Sequence, residues 1–330
     1  MKGKYRAEAG LSVYTATTIF PIEKLKEMTT KNNVDSHIYA ILAIDEYYLN
    51  LEKTTKTADA IHFVVRRIGE KGPEDISLSP FRCSPDVDHT AIEIVSKYPY
   101  NQFSLLVKDE SYLKNHPKFR DLPIALIANN LTDFLRTEPD TRQKFEVLYV
   151  GQAYGTDGTR TSLDRLADHT TLQTILSEKG IYYPNKHIYI MVMEVFERMV
   201  MLFDGVTKSV TKNDAETTQH IKDVISDLPH EKQVVNITEA ALIYHFNPPY
   251  NERLKNNFPN LKAKGYRQYF DLDYNSISVE LNLDFDSGRS IELYTDKASV
   301  RSSFDFIRYP LHNEKDRKNM FEIFKDPPTS

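Results

Sequence analysis

A short apolar strand, a glycine-bearing loop and a helix follow one another between Phe145 and Ile175, and this order constrains the fold more than any other segment. The strand reads Val147-Leu148-Tyr149-Val150. The loop after it holds three of the eleven glycines of the chain, Gly151, Gly155 and Gly158. Because glycine lets the backbone turn sharply, the segment predicts a strand joined to a helix by a tight polar turn, with Tyr149 at the strand end.

The helix predicted over residues 162–178 carries Arg165 and His169 on one face. The two residues are four positions apart, and side chains at that spacing are neighbours on a helix surface. Arginine offers forked donors that fit two phosphoryl oxygens, and it stays charged at neutral pH. Histidine titrates near neutrality and is a candidate general base. Tyrosine, arginine and histidine at one strand–loop–helix turn therefore indicate a site that handles a phosphate ester.

A glutamate and an asparagine twelve positions apart form a second candidate segment, about ninety residues further on. Thr238 is expected to cap a helix over residues 238–246, with Glu239 in its first turn, where the helix dipole favours an acid even without a metal. Pro248-Pro249 ends this helix, because proline lacks a backbone donor and disfavours helix before it. Asn251 follows, and it is expected either to bind phosphate or to hold the turn after the prolines.

These two segments together resemble the signatures of the GIY-YIG nuclease superfamily. The Tyr-Ile-Gly strand end of the family reads Tyr149-Val150-Gly151 here, and its helix-borne arginine matches Arg165. The metal-binding glutamate and the Pro-x-Asn asparagine of the family match Glu239 and Asn251, and the Arg-to-His step matches restriction-endonuclease members. The likeness covers about residues 122–260. The family also has a Gly-Ile-Tyr triplet about ten residues before the Tyr-Ile-Gly strand end. No such triplet precedes Tyr149 at that distance.

The resemblance implies a magnesium-dependent endonuclease, a hydrolase of phosphodiester bonds in nucleic acid, with DNA as the expected substrate. Glu239 would hold one Mg²⁺ or Mn²⁺, and Arg165 would neutralise charge on the transferring phosphate. Tyr149 or His169 would assist the attacking water, and we expect the histidine to be the base and the tyrosine to orient the water. Members of the family use two tyrosines near this water, so Tyr154 in the glycine loop is a candidate for the second one.

The charge of the chain requires that any positive potential be local. The formal net charge is -5, which gives no support to a general basic coat for a polyanion. A basic run after Asn251 either follows a phosphate backbone or is a solvated face; it contains Arg253, Lys255, Lys262, Lys264 and Arg267. The expected catalytic residues are thus Tyr149, Arg165, His169 and Asn251, the metal ligand is Glu239, and the substrate-binding residues are Gly151, Tyr154, Arg160, Arg253 and Lys255.

The distribution of predicted elements indicates an α+β fold, in which a small mixed αβ nuclease module is set within a β-rich platform built from both chain ends. We expect an N-terminal β-rich region at 1–121, the nuclease module at 122–260, and a C-terminal β-rich region at 261–330 that packs with the N-terminal one. Strands are predicted at 12–20, 37–44, 60–67, 103–107, 123–128, 145–150, 187–195, and at 277–285 with a hairpin partner at 290–294; helices are predicted at 91–97, 162–178, 214–227 and 238–246.

Composition narrows the class of protein. Forty per cent hydrophobic residues in a chain of 330 fit a globular protein with a substantial core. Cys83 is the only cysteine, which excludes a disulfide within the chain and a thiolate zinc cluster and fits a reducing cytoplasm. No run approaches eighteen apolar residues, and Met1 to Phe20 lacks a continuous apolar core, so we expect no membrane segment and a cytoplasmic location.

An alternative function stays open at this point. The absent first tyrosine and the negative net charge both favour a catalytically inactive protein whose degenerate nuclease module binds nucleic acid or a protein partner. Metal-dependent cleavage distinguishes the two functions. In either case nucleic acid is the expected partner, and the β-rich flanks are where a homodimer or a protein partner would be held.

Overall fold

The α+β class with a high share of strand, predicted from the sequence, is confirmed: the chain forms a mixed α/β structure around one large curled sheet. The computed structural model describes residues 3–31, 36–69, 71–82, 88–107, 110–115, 117, 129–130, 135, 143–154, 162–167, 169–203, 209–285, 289–302, 304–313 and 317–321.

Strands and helices alternate irregularly along the described residues. The strands are β1 (Glu8–Pro21), β2 (Ile38–Leu49), β3 (Thr55–Lys56), β4 (Ile61–His62), β5 (Val64–Gly69), β6 (Gly72–Ser77), β7 (Ile92–Val95), β8 (Gln102–Val107), β9 (Asn129–Asn130), β10 (Lys144–Gln152), β11 (Lys186–Leu202), β12 (Ser276–Leu281), β13 (Asp284–Phe285), β14 (Arg289–Ser290), β15 (Glu292–Tyr294), β16 (Ser299–Val300) and β17 (Ile307–Pro310). The helices are α1 (Leu25–Lys31), α2 (Glu110–Asn115), α3 (Ser162–Ala167), α4 (Thr170–Tyr182), α5 (Asp214–Ser226), α6 (Glu231–Phe246) and α7 (Gln268–Asp271), with 3-10 turns at Ile22–Lys24, His89–Ala91 and Lys264–Tyr266.

The main sheet has the strand order β16-β15-β10-β2-β11-β1-β12-β17, and β5 and β6 extend it from β2. Its centre is antiparallel, since β2 pairs antiparallel with both β10 and β11. Strand β1 pairs antiparallel with β11 and parallel with β12. All three regions expected from the sequence thus contribute strands to one sheet, and the boundaries between them stay predictions.

Helices cover both faces of the centre of this sheet. On one face α6 buries Val234, Ile237 and Ala241 in the larger hydrophobic cluster. On the other face the helices α3 and α4 bury Leu163 and Leu172 in a smaller cluster. Because β2 is covered on both sides, its first seven residues are all buried, as is usual for a strand with two apolar faces. Each fully buried aliphatic side chain contributes about 1.5–3 kcal/mol, so this strand anchors the fold.

Most predicted strands are confirmed. The structure has strands at all of the predicted positions in the described residues: 12–20, 37–44, 60–67, 103–107, 145–150, 187–195 and, in part, 277–285. Residues 123–128 lie outside the described part of the chain. The helix predicted at 91–97 is wrong: β7 occupies this segment and pairs with β8, which suits its β-branched residues. The helix at 214–227 is confirmed as α5.

The hairpin predicted between 277–285 and 290–294 is confirmed only at its tip. Strand β12 pairs with β1 and β17, whereas β15 pairs with β10 and β16. Only the short strands β13 and β14 form a hairpin with each other. The alternation of apolar and polar residues identified the strands correctly, but their partners were decided by long-range packing.

Two further findings concern the class of protein. No helix in the described ranges combines the length and apolar character needed to cross a membrane. Cys83 lies outside the described residues. The cytoplasmic location stays a prediction.

Candidate active site

Tyr149 of β10 has a second tyrosine as its neighbour, Tyr39 of β2, which lies outside the set of residues predicted from the sequence. The two strands are antiparallel, and Tyr39 is paired with Gly151. The two phenol rings lie 6.1 Å apart between centroids. Tyr39 is fully buried, with no exposed surface, and Tyr149 is half-buried. The structure therefore places a second tyrosine beside Tyr149, and the role predicted for Tyr154 stays a prediction.

The sequence did carry a signal for this tyrosine. His37-Ile38-Tyr39 begins the predicted strand at 37–44, and it differs from the Gly-Ile-Tyr triplet only at its first residue. The signature of the family places the triplet about ten residues before Tyr149. Here about 110 residues separate the two tyrosines, and strands β3 to β9 lie within that interval.

Gly151 makes room for both phenol rings. A Cβ atom at this position would lie 2.7 Å from the Tyr39 Oη and 2.7 Å from Cε1 of Tyr149. Contacts this short are not tolerated between non-bonded atoms, so any side chain here would displace the tyrosines. Gly151 was predicted to bind substrate, but the structure gives it a steric role that acts through the two rings.

His169 does not lie on the helix that carries Arg165, so the continuous helix predicted over 162–178 is wrong. Helix α3 ends at Ala167 and α4 begins at Thr170, with His169 between them as the N-cap residue of α4. Its Nδ1 accepts a hydrogen bond from the backbone N–H of Leu172 at 3.2 Å. A histidine can cap a helix as asparagine does, because its ring nitrogen reaches the same backbone donor.

The other ring nitrogen of His169 meets Tyr39. Nε2 lies 3.0 Å from the Tyr39 Oη. Burial lowers the pKa of His169, and the Arg165 charge lowers it further, so the imidazole is neutral at pH 7. Because Nδ1 accepts the Leu172 N–H, the single proton of a neutral ring is on Nε2, which donates to Tyr39. The lone pair that a general base needs is thus engaged in the helix cap.

Arg165 of α3 is half-buried and lines a cleft of about 360 Å³ together with Tyr149 and Glu239. Its Nε is buried, and no acceptor among the described residues meets it. Its charge lowers the pKa values of His169 and Tyr149. A guanidinium that lines a cleft and has a donor without an acceptor among the described residues is suited to bind an anion there.

Glu239 lies in the middle of α6, so the helix start predicted at Thr238 is wrong. Helix α6 begins at Glu231, because Val234 and Val235 pack on the sheet and extend the helical pattern by two turns. Glu239 is half-buried in the wall of the cleft. Burial raises the pKa of its carboxyl to about 7, although Gln152 and then Arg165 act in the opposite direction.

The side-chain amides of Gln152 and Asn236 line the cleft and bond to each other. The Gln152 Nε2 donates to the Asn236 Oδ1 at 2.6 Å, and the Asn236 Nδ2 donates to the carbonyl oxygen of Gly265 at 2.8 Å. This chain of bonds connects the end of β10 to the 3-10 turn beyond α6. It fixes Gln152 beside Glu239.

Asn251 holds the backbone of β10 between Tyr149 and Gly151. Its Oδ1 accepts from the N–H of Val150 at 2.9 Å, and its Nδ2 donates to the carbonyl oxygen of Val150 at 2.8 Å. The neighbouring Tyr250 N–H donates to the carbonyl oxygen of Leu148 at 3.1 Å. These bonds complete the edge of β10 where its strand partner ends. Of the two roles expected for Asn251, this geometry favours the structural one, in which it acts on the site as a positioning residue.

The remaining predicted residues divide into two groups. Tyr154 lines the cleft, and its hydroxyl donates to the Glu231 Oε2 at 3.0 Å. Arg253 and Lys255 follow Asn251 in the chain and are not among the described residues that line the cleft; the Nζ of Lys255 donates to the carbonyl oxygen of Pro249 at 3.3 Å. Arg160 lies outside the described residues.

Glu239 is the one carboxylate among the described residues that line this cleft, and it could ligate a divalent cation. No cluster of three or more histidine, cysteine, aspartate or glutamate side chains that would hold a metal occurs in the described residues. Magnesium does not require one, since it keeps several waters and commonly takes one or two carboxylates. Glu239 supplies one carboxylate whose ionised form is destabilised by burial, and a cation beside it would offset that cost.

No protein-family model, no curated protein and no solved structure matches this chain.

Proposed function

We propose that this chain is a metal-dependent endonuclease that hydrolyses phosphodiester bonds of nucleic acid, with DNA as the expected substrate. The observation that carries the proposal is the meeting of Tyr39, Tyr149, Arg165 and Glu239, which come from four separate elements, in and beside one cleft. The presence of Tyr39 supports the resemblance to the GIY-YIG superfamily, because it supplies the tyrosine that was absent from the expected position.

Arg165 and Glu239 have separate electrostatic roles in the proposed reaction. The Arg165 guanidinium binds the non-bridging oxygens of the scissile phosphate and stabilises the charge that they gain as water attacks. Glu239 would hold a Mg²⁺ or Mn²⁺ ion through its carboxylate, with water as the remaining ligands. Such an ion, when bound, supplies Lewis-acid stabilisation of the phosphate and the leaving oxygen.

Tyr149, and not His169, is the better placed base. Burial raises the pKa of Tyr149 and the Glu239 charge raises it further, whereas Arg165 and the neighbouring Tyr39 hydroxyl lower it. A cation at Glu239 would remove the second of the two causes that raise this pKa. His169 donates to Tyr39 and so orients its hydroxyl group beside Tyr149. In the reaction Tyr149 acts in its ionised form: the water oxygen bonds to phosphorus as its proton passes to the phenolate oxygen, and the bond from phosphorus to the leaving oxygen breaks. The leaving oxygen takes a proton from solvent, and Tyr149 returns its proton to solvent before the next turnover.

The test of this function is incubation of the purified protein with plasmid, single-stranded DNA and RNA, with Mg²⁺, with Mn²⁺ and with chelator. We expect cleavage that requires the metal and that Tyr149→Phe reduces by at least about a hundredfold. Tyr182→Phe, which changes an exposed tyrosine at the far end of α4, is the matched control and should keep full activity. Binding of nucleic acid with no cleavage under any metal would instead establish the inactive binding protein.

Two substitutions at His169 separate its capping role from its role at Tyr39. His169→Ala should destabilise the fold by about 1 kcal/mol through loss of the cap, whereas His169→Asn should keep the cap and the stability. Both variants lose the donor to the Tyr39 hydroxyl, so both should lose about tenfold in cleavage rate. Denaturant midpoints and single-turnover rates check these values.

The pH profile of the same variants decides which group is the base. With saturating metal, a Tyr149 base predicts that the rate keeps rising from pH 7 to pH 9, because the pKa of this phenol is raised. A plateau above about pH 7 that disappears in His169→Asn would return the base role to the histidine. Full activity in His169→Asn would mean that the residue is only a helix cap.

A further inference from the structure

Lys232 lies at the rim of the cleft, on the same side of α6 as Glu239. Lys232, Asn236 and Glu239 follow an i, i+4, i+7 spacing, which aligns them along one face of the helix, and all three line the cleft. With a rise of 1.5 Å per residue, Lys232 lies about 10 Å along the helix axis from Glu239. The lysine thus lies two helical turns from Glu239 and opens onto the same cleft.

The charge of Lys232 is not compensated within the described part of the chain. Its side chain is exposed, and it forms no ion pair with a described carboxylate. The adjacent Glu231 is turned toward other partners, the Tyr154 hydroxyl at 3.0 Å and the His37 Nε2 at 3.5 Å. The ammonium group is thus available to an anion that enters the cleft.

A second lysine lies beyond α6 but does not line the cleft. Lys264 is exposed and begins the 3-10 turn that packs against α6, where Asn236 bonds the carbonyl oxygen of Gly265. Among the described residues that line the cleft, two cations, Arg165 and Lys232, outnumber the one carboxylate, Glu239, on a chain whose formal net charge is -5. Such a local field attracts a polyanion even where the whole molecule would repel it.

We propose that Lys232 binds a phosphate of the nucleic acid other than the scissile one, so that the cleft takes a polynucleotide and not an isolated phosphodiester. The inference rests on the proposed function, which puts the scissile phosphate between Arg165 and Glu239. A lysine is a compact point charge without forked geometry, which suits a contact that positions the sugar–phosphate backbone without reading its sequence. Its loss should therefore weaken binding equally for different sequences.

The test is the affinity of the protein for a fluorescein-labelled oligonucleotide, single-stranded and duplex, measured by anisotropy over a range of salt concentrations. Glu239→Gln is the background, so that the oligonucleotide is not cut. We expect Lys232→Ala to weaken binding by about three- to tenfold and to reduce the slope of log affinity against log salt by about one. Lys232→Arg, which keeps the charge, should restore the slope.

The matched control is Lys222→Ala, which removes an exposed lysine from α5 and should change neither affinity nor slope. Equal behaviour of Lys232→Ala and Lys222→Ala would overturn the subsite, as would the absence of measurable binding by the background protein. If the wild type cuts nucleic acid while Lys232 has no effect, the subsite is wrong and the nuclease function stands. If Lys232→Ala weakens binding in a protein that cuts nothing, the subsite stands and the catalytic proposal fails.

Discussion

Replacing Glu239 with glutamine is expected to abolish metal-dependent cleavage and, at the same time, to stabilise the metal-free protein above pH 7. The loss of the only proposed metal ligand should reduce the rate by at least about a thousandfold. The gain in stability has a different cause. Burial raises the pKa of the carboxyl from an ordinary value of 4.5 to about 7, so the ionised group costs the fold up to about 3 kcal/mol.

The sign of this effect fixes the pH range in which to measure it. The folded protein holds the proton of Glu239 more tightly than the unfolded chain does, so stability falls as pH rises from about 4.5 to about 7, and the full penalty is present above that range. Urea unfolding of the wild type and of Glu239→Gln should therefore agree at pH 4 and diverge at pH 8. Added Mg²⁺ should raise the melting temperature of the wild type at pH 8 but not that of the variant.

Glu252→Gln is the control for this experiment, because it changes an exposed glutamate after Asn251 and should alter neither activity nor pH dependence. A Glu239→Gln protein that cleaves at the wild-type rate would remove Glu239 from the metal site. Equal stability of the two proteins at pH 8 would show that the carboxyl is solvated in the folded chain.

Arg165→Ala is expected to lose about a hundred- to a thousandfold in single-turnover cleavage rate, because no other described cation in the cleft is as deeply placed. Arg165→Lys should not recover the rate, since an ammonium group cannot bond two phosphoryl oxygens with the geometry of a guanidinium. Arg165→Ala, which removes the charge, should also raise the pKa of His169, because the Arg165 charge is one of the two causes that lower it.

The pKa of His169 can be followed by NMR of its ring protons in the metal-free protein, which gives a readout that does not depend on activity. Arg198→Ala, at an exposed arginine of β11, is the matched control and should leave both the rate and the histidine titration unchanged. A loss of less than about tenfold in Arg165→Ala, roughly 1.4 kcal/mol of barrier, would exclude a transition-state role for Arg165.

The local sequence pattern predicted which segments of the site form strands and helices, but it did not predict which strands pair with each other. Short-range periodicity and turn residues predicted the strand that carries Tyr149, the helix with Arg165 and the placement of Glu239 on a helix. They did not predict Tyr39 as part of the site, because the pairing of its strand with β10 is a long-range contact that no local pattern encodes.

The errors at His169 and Glu239 have separate physical causes. Two short helical patterns separated by one histidine resemble a single continuous helix in the sequence. Only the structure shows that the side chain of His169 caps the second helix. The start of α6 was placed seven residues late because Thr238 resembles an N-cap residue, whereas burial of the apolar residues before it extends the helix. In both cases tertiary contacts overrode a valid local signal.

The pairing of β2 with β10 joins segments that are about 110 residues apart, and this separation affects how the cleft can form. Closing a flexible loop of this length costs about 2 kcal/mol more in chain entropy than closing a ten-residue hairpin. The inserted segment reduces that cost, because Phe63 and Leu105 within it are buried in the same core as β2. Contacts between distant segments slow folding. The two tyrosines meet only when β2 and β10 are paired, so a chain in which this pairing is broken contains no assembled cleft.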